Sequence, residues 1–212
     1  MSKIELIKEA IEKALRRESK LTPLALSVPA LSSLNIRHLM NNLGAISTRY
    51  LEHGVHKGGL FCSTICANPN LENITAVDSW ASDEANGDKA EPQFHENACM
   101  LKPVQTFFST VKNNSFDVDP LLIAGPVDLY LFDADHSEDS QCRALTHFLP
   151  AMDDEFVFCV DDWDFPEVEA GTWRGIKESG VDVLFQWISA GNDHDNEGMW
   201  NGFAVFLLKK KP

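Results

Sequence analysis

The sequence predicts an α/β fold, a doubly wound and mostly parallel sheet with a helical cap at its N-terminal end. Three observations predict it. From Thr48 onward, short apolar runs alternate with segments of helical period, the pattern of strands joined by crossover helices that cover both faces of a sheet. Before Thr48 only helical spacing is seen. Four of the apolar runs end in carboxylates, at Glu52, Asp78, Asp133 and the pair Asp161-Asp162. Open α/β sheets bind ligands at the carboxyl ends of their strands, so parallel strands would gather these acids along one edge.

The elements follow in order. Ile4, Ile7, Ile11, Ala14 and Leu15 recur at helical spacing with charges between them, which predicts an amphipathic first helix. Pro23 and Pro29 interrupt the chain, and a second helix is expected over 32–42, with Gly44 able to end it. These residues, 1–47, are read as the cap, and 48–212 as the catalytic sheet domain. Tyr50 to Glu52 reads as a strand end before a glycine-rich turn, and Leu60 to Ala67 as a helix. Asn73 to Asp78 is the second strand. His95 to Thr110 is expected to be mostly helical despite Pro103, with a possible third strand ending near Asn114 and Ser115. Val127 to Asp133 and Phe156 to Asp161 are buried strands flanking a helix at 140–148. A helix at 173–179 and strands at 181–188 and 202–208 complete the chain.

Composition narrows the function. The 212 residues are 44% hydrophobic, enough for one sizeable core. No apolar stretch approaches a membrane span, and the charged first 20 residues do not read as a secretory signal. The formal net charge is −14. Nucleic-acid binding rests on neutralising phosphates, so that partner is not expected, and the basic run Lys209 to Lys211 reads as a solvated tail. Five cysteines without a CxxC fit a reducing, cytoplasmic setting. Cys62 and Cys66 read as buried small hydrophobes on one helix face. The first helix can pack on its own domain or on a second copy, so a homo-oligomer stays open.

The turn Glu52-His53-Gly54-Val55-His56-Lys57-Gly58-Gly59 lets the backbone approach a ligand closely. It does not match the dinucleotide fingerprint G-x-G-x-x-G, because His56 stands at the second glycine. Glu52 would repel a pyrophosphate and attract a cationic ligand. E-x-G-x-x-x-G-G after a first strand resembles motif I of class I S-adenosylmethionine-dependent methyltransferases, which have a Rossmann-like sheet. The resemblance implies that Glu52 faces the amino group of the cofactor and that Asp78 holds its ribose hydroxyls. Gly54, Gly58 and Gly59 would line the cofactor turn. Ser79 and Trp80 would lie beside the ribose and adenine, with core packing an equal reading for Trp80. Asn114 and Ser115 would border the adenine.

Two further segments carry the resemblance. Asp133-Ala134-Asp135-His136-Ser137 resembles D-[GA]-D-H-S, and Val160-Asp161-Asp162-Trp163 resembles V-D-D-[WY]. Both occur in a subset that includes many sugar and small-molecule O-methyltransferases. The likeness runs from about Thr48 to Leu208. It implies a divalent metal, Mg²⁺, held by Asp133, Asp161 and Asp162, since clustered carboxylates repel unless a cation joins them. Asp133 would also border the cofactor and take part in catalysis. His136 would be the general base, or else cap the next helix. Asp135 would orient His136 or face water. The expected function is metal-assisted methyl transfer from S-adenosylmethionine to a hydroxyl of a small molecule or sugar. A nicotinamide-dependent oxidoreductase and a non-catalytic cofactor-binding module are the rival readings. The segment Asp193 to Gly198 begins like a calcium loop, but Ala204 stands where that loop needs a glutamate. It reads instead as an acidic loop near the substrate opening, with Trp200 and Asn201 beside it.

Overall fold

The computed structural model describes residues 1–82, 88–191 and 198–211. The calcium-like segment therefore lies outside the described residues, apart from Gly198. In chain order the elements are α1 (Lys3–Leu15), α2 (Pro23–Leu26), α3 (Leu34–Gly44), β1 (Arg49–His53), α4 (Gly59–Ile65), β2 (Asn73–Asp78), α5 (Ala90–Leu101) and β3 (Phe107–Lys112). They continue with β4 (Val127–Phe132), α6 (Glu138–Phe148), β5 (Met152–Asp161), α7 (Pro166–Ser179), β6 (Asp182–Ser189) and β7 (Phe203–Lys209). The seven strands lie in the order β3-β2-β1-β4-β5-β7-β6. β7 is antiparallel to both of its neighbours, and the pairs among β1 to β5 are parallel.

Local chemistry sets the helix ends. Ser2 caps α1 in a reciprocal capping box with Glu5, and Ser33 caps α3 through the Ile36 N–H. Pro23 starts a short helix that sequence spacing did not suggest. It sits at the first turn behind the Thr22 cap, where its missing N–H costs nothing. Pro166 opens α7 in the same way, seven residues before the expected start, and left-handed Gly180 closes it.

The expected helix over 95–110 is corrected by the structure. α5 begins earlier and ends at Leu101, because Pro103 prevents Lys102 from continuing it. Phe107–Lys112 then pairs in parallel with β2, as the β-branched and aromatic residues of FFSTVK favour.

Alternate residues of the central strands serve two cores. Leu129, Leu131, Val157, Cys159, Val205 and Leu207 face one helical layer. Tyr130, Phe132, Phe158, Val160, Phe206 and Leu208 face the other. The first layer includes Ile7, Ile11, Ile36, Leu39, Met40 and Leu43, so α1 and α3 share one continuous core with the sheet. Buried Arg37 ties this layer together. Its guanidinium donates to Ser63 Oγ at 2.9 Å and to the carbonyls of Ala25 and Leu26. Cys62 and Cys66 are buried, as their spacing suggested, whereas Cys99 is exposed. Among the described residues no helix is long and apolar enough to cross a membrane.

His53, the last residue of β1, is fully buried against Phe148, with ring centroids 4.3 Å apart. Neither of its ring nitrogens finds a hydrogen-bond partner. Burial pulls its pKa down to about 3 from the ordinary 6.5. The folded protein therefore resists protonation of a group that the unfolded chain protonates readily. Stability linked to His53 is whole above pH 6.5 and is lost as pH falls toward 3, at up to about 1.4 kcal/mol per pH unit. His53→Leu should flatten the difference between urea midpoints at pH 7 and pH 5. An unchanged difference would show that His53 does not carry it.

Candidate active site

Strand order reverses between β1 and β4, because the chain builds β2 and β3 on one side and β5 to β7 on the other. The crevice outside the carboxyl ends at such a switch point is where open α/β sheets hold ligands. A cavity of about 780 Å³ lies there, lined by Glu52, Asp78, Asp133, Asp162 and the β1–α4 turn among other residues.

The turn is shaped by backbone contact. Asp133 N–H donates to the His53 carbonyl at 3.0 Å, and Gly54 N–H donates to the Val77 carbonyl at 2.9 Å. Gly54 has φ +84°, and a Cβ there would stand 1.6 Å from the Asp133 carbonyl oxygen. Gly59 is also constrained, since a Cβ there would meet Ala30 at 2.3 Å. That contact brings Pro29, Ala30 and Leu31 to the cavity mouth.

Glu52 is buried and lines the cavity. Tyr50 donates its phenol proton to Glu52 Oε2, and Thr64 Oγ1 donates to the Tyr50 oxygen at 3.3 Å. Burial raises the Glu52 carboxyl well above its ordinary range, against the Tyr50 hydrogen bond, which favours the charged form. Asp78 accepts the His56 N–H on Oδ2 at 2.9 Å and the Trp80 N–H on Oδ1 at 2.8 Å. It thereby joins the first turn to the end of β2. Each carboxylate oxygen has a second lone pair, so Asp78 can still accept from a diol.

Ser79, Asn114 and Ser115 line the cavity, together with Asn113 and Phe116. Trp80 and Gly58 do not. Trp80 is 1% exposed and packs on Phe94, with its indole N–H donated to the His56 carbonyl at 2.8 Å. Core packing is therefore its place. Gly58, left-handed at φ +89°, stands at the N-terminal end of α4 and abuts Phe94.

Beyond the end of β4, ligand atoms of Asp133, His136 and Asp162 all lie within 4.8 Å of one another. Asp161, expected in this group, does not join it. It ends β5 buried, outside the cavity lining, and accepts the Asp162 N–H at 3.0 Å. Adjacent residues leave a strand end in different directions, so His136 takes the third place.

His136 Nε2 lies 2.9 Å from Asp162 Oδ2, and Asn201 Nδ2 donates to Asp162 Oδ1 at 2.7 Å. The hydrogen bond to Asp162 raises the His136 pKa. Burial, then the nearby Asp162 charge, pushes Asp133 up to about 7. Ser137, not His136, caps α6, through the Ser140 N–H. Asp135 does not orient His136. It accepts from the hydroxyls of Ser137, at 2.6 Å, and Ser140. His56, Asp162 and Asn201 have positive φ without being glycine, and all line the cavity. Strained backbone of this kind gathers at functional sites. The Asn201 contact was invisible in sequence, because 39 residues separate it from Asp162.

A family model described as "Methyltransferase domain" matches residues 51–163, more than half of the chain. The chain belongs to this methyltransferase-domain family. It is an S-adenosylmethionine-dependent methyltransferase, which displaces the nicotinamide-dependent oxidoreductase and the non-catalytic module as readings. A search of curated protein sequences finds no match. Among solved structures the methyltransferase resembles cofactor-bound Rv0187 from MTB, at 20% identity and TM-score 0.62, covering 97% of this chain and 90% of that one. It also resembles an O-methyltransferase from Bacillus cereus in complex with SAH, at 13% identity and TM-score 0.61, covering 99% and 93%. A third is the O-methyltransferase TomG from Streptomyces achromogenes in complex with SAM, at 18% identity and TM-score 0.57, covering 97% and 90%. These likenesses establish the shared fold.

The Gly54–Asp133 contact leaves no space for a side chain. Gly54→Ala should weaken S-adenosylmethionine binding at least about hundredfold by calorimetry, because the turn must move away from Asp133. Binding within a factor of two of the parent would show that the turn is not fixed there.

Proposed function

We propose that this methyltransferase moves the methyl group of S-adenosylmethionine to a hydroxyl oxygen of a small-molecule or sugar acceptor. The observation that carries this reading is the cluster of Asp133, His136 and Asp162 beside the Glu52 and Asp78 end of one cavity. Glu52 would meet the cofactor ammonium and Asp78 the ribose hydroxyls. Gly54 and Gly59 would admit the cofactor, with Ser79, Asn114 and Ser115 along its ribose and adenine edge.

Methyl transfer is a direct displacement, so the protein must orient the acceptor and receive its proton. The His136 imidazole, held by Asp162, is placed for that proton, since a carboxylate-oriented imidazole is a competent general base. The same donors suit a divalent cation such as Mg²⁺. Two carboxylates and an imidazole converge, and the carboxylate pair repels itself without a positive partner. Asp133 and Asp162 would hold it, leaving the His136 imidazole to receive the proton. A bound cation would lower the pKa of the acceptor hydroxyl. A cytoplasmic location accords with the free cysteines.

Two measurements test the reading. Asp78→Ala should weaken S-adenosylmethionine binding by roughly tenfold to hundredfold, the loss of two charge-assisted hydrogen bonds; unchanged affinity would refute the ribose role. Titration with Mg²⁺ should give a heat that disappears in Asp162→Ala while cofactor binding persists. No Mg²⁺ heat in the parent protein would leave His136 to work without a metal.

A further inference from the structure

Arg37 is a charge in an otherwise apolar helical layer. It is 5% exposed, and no carboxylate among the described residues acts on it. Burial lowers its pKa, and a buried cation without a counter-charge is costly. An apolar side chain of similar length would fill the same volume without that cost. The guanidinium is therefore best explained by what it binds.

Each of its nitrogens has its own partner. Nη2 donates to the Ala25 carbonyl, Nη1 to the Leu26 carbonyl at 3.2 Å, and Nε to Ser63 Oγ at 2.9 Å. Ser63 in turn donates its hydroxyl proton to the Gly59 carbonyl at 2.7 Å. One side chain on α3 thus joins the end of α2 to the first turn of α4. The packing of α3 on α4 has other ties. Asn41 Nδ2 donates to the carbonyls of Ser63 and Cys66, and Asn68 Nδ2 to the Asn41 carbonyl, all at 2.8 Å. What Arg37 adds is the hold on α2.

The end of α2 leads into a strap, residues 27–33, that runs to the Ser33 cap of α3. Pro29, Ala30 and Leu31, in its middle, line the cavity. Pro29 and Leu31 are exposed, so their own burial does little to hold the strap down. Ala30 occupies the space that a Cβ on Gly59 would need, and that Cβ would also stand 2.8 Å from the Pro29 carbonyl oxygen. The strap is therefore seated on the glycine turn at its middle and clasped by Arg37 at its start.

We propose that Arg37 is a positioning residue for cofactor binding: by clasping the end of α2 and, through Ser63, the Gly59 carbonyl, it seats the strap on the glycine turn and so sets one wall of the cavity. The inference rests on the proposed seat of S-adenosylmethionine in this cavity and extends it to a residue that does not line it.

Calorimetry with S-adenosylhomocysteine, run well below each variant's unfolding midpoint, tests it. Arg37→Met keeps an unbranched chain and removes the fork. It should bind S-adenosylhomocysteine about tenfold more weakly than the parent. Chymotrypsin should cleave it faster at Leu26 and Leu31, with cleavage elsewhere unchanged. Arg37→Lys keeps the cation, but one ammonium cannot span from Ser63 to both carbonyls. It should lose affinity at least about threefold, and it carries the test where Arg37→Met does not fold. Gly59→Ala should displace the strap from its other side. Combined with either Arg37 variant, it should weaken binding by no more than about twofold beyond the weaker single variant, because both act on one strap. A purely structural role would lower the urea midpoint and leave the affinity of the folded protein at the parent value. That result would overturn the inference, as would fully additive losses or unchanged cleavage at Leu26 and Leu31. Failure of the parent to bind S-adenosylhomocysteine would instead overturn the underlying reading of the cavity.

Discussion

The close approach of Gly54 to the Asp133 carbonyl is the contact on which the site depends. The two residues follow β1 and β4, the strands on either side of the point where the sheet reverses its winding. Asp133 N–H closes onto the His53 carbonyl, and Gly54 N–H onto the Val77 carbonyl, so three strand ends are stitched together by backbone alone. A Cβ at position 54 would fall inside this seam. Glycine therefore sets the spacing between the cofactor end of the cavity, at Glu52 and Asp78, and the reacting end, at Asp133 and Asp162.

Around this seam the protein collects negative charge and shields it from water. Glu52, Asp133 and Asp161 all have pKa values raised by burial, with neighbouring carboxylates adding to the shift. Buried charge of one sign is costly unless something answers it. Inside the protein the answers are partial: the Tyr50 phenol at Glu52, backbone N–H groups at Asp78, and His136 with Asn201 at Asp162. A cavity in this condition favours cationic visitors. The methyl donor carries a sulfonium and an ammonium, and the proposed metal extends the same logic. The scaffold bears this cost because its two cores are dense and continuous on either side of the sheet.

Most of the architecture was legible because its signals are local. The apolar runs of β2, β4, β5 and β7 and the spacing of α1 name their own elements, and the acids at strand ends point to one edge once the strands are parallel. Errors arose where two local preferences compete. His95 to Thr110 carries helical spacing in its first half and β-forming residues in its second, and Pro103 decides where one gives way to the other. For Trp80, where a cofactor neighbour and a core residue were equal readings, the left-handed backbone and the hydrogen bond to the His56 carbonyl go with the core.

By itself the sequence determined the α/β class, the glycine turn, and the acids Glu52, Asp78, Asp133 and Asp162, since these depend on residue type and spacing along one chain. Only the tertiary structure decided which groups meet. It withdrew Asp161 from the carboxylate cluster and brought in His136, held Asp162 with Asn201 from the far side of β6, and seated Ala30 against Gly59. These outcomes depend on the direction in which each side chain leaves its strand and on contacts between distant segments. A linear pattern fixes neither, because both follow from how the helical layers close over the sheet.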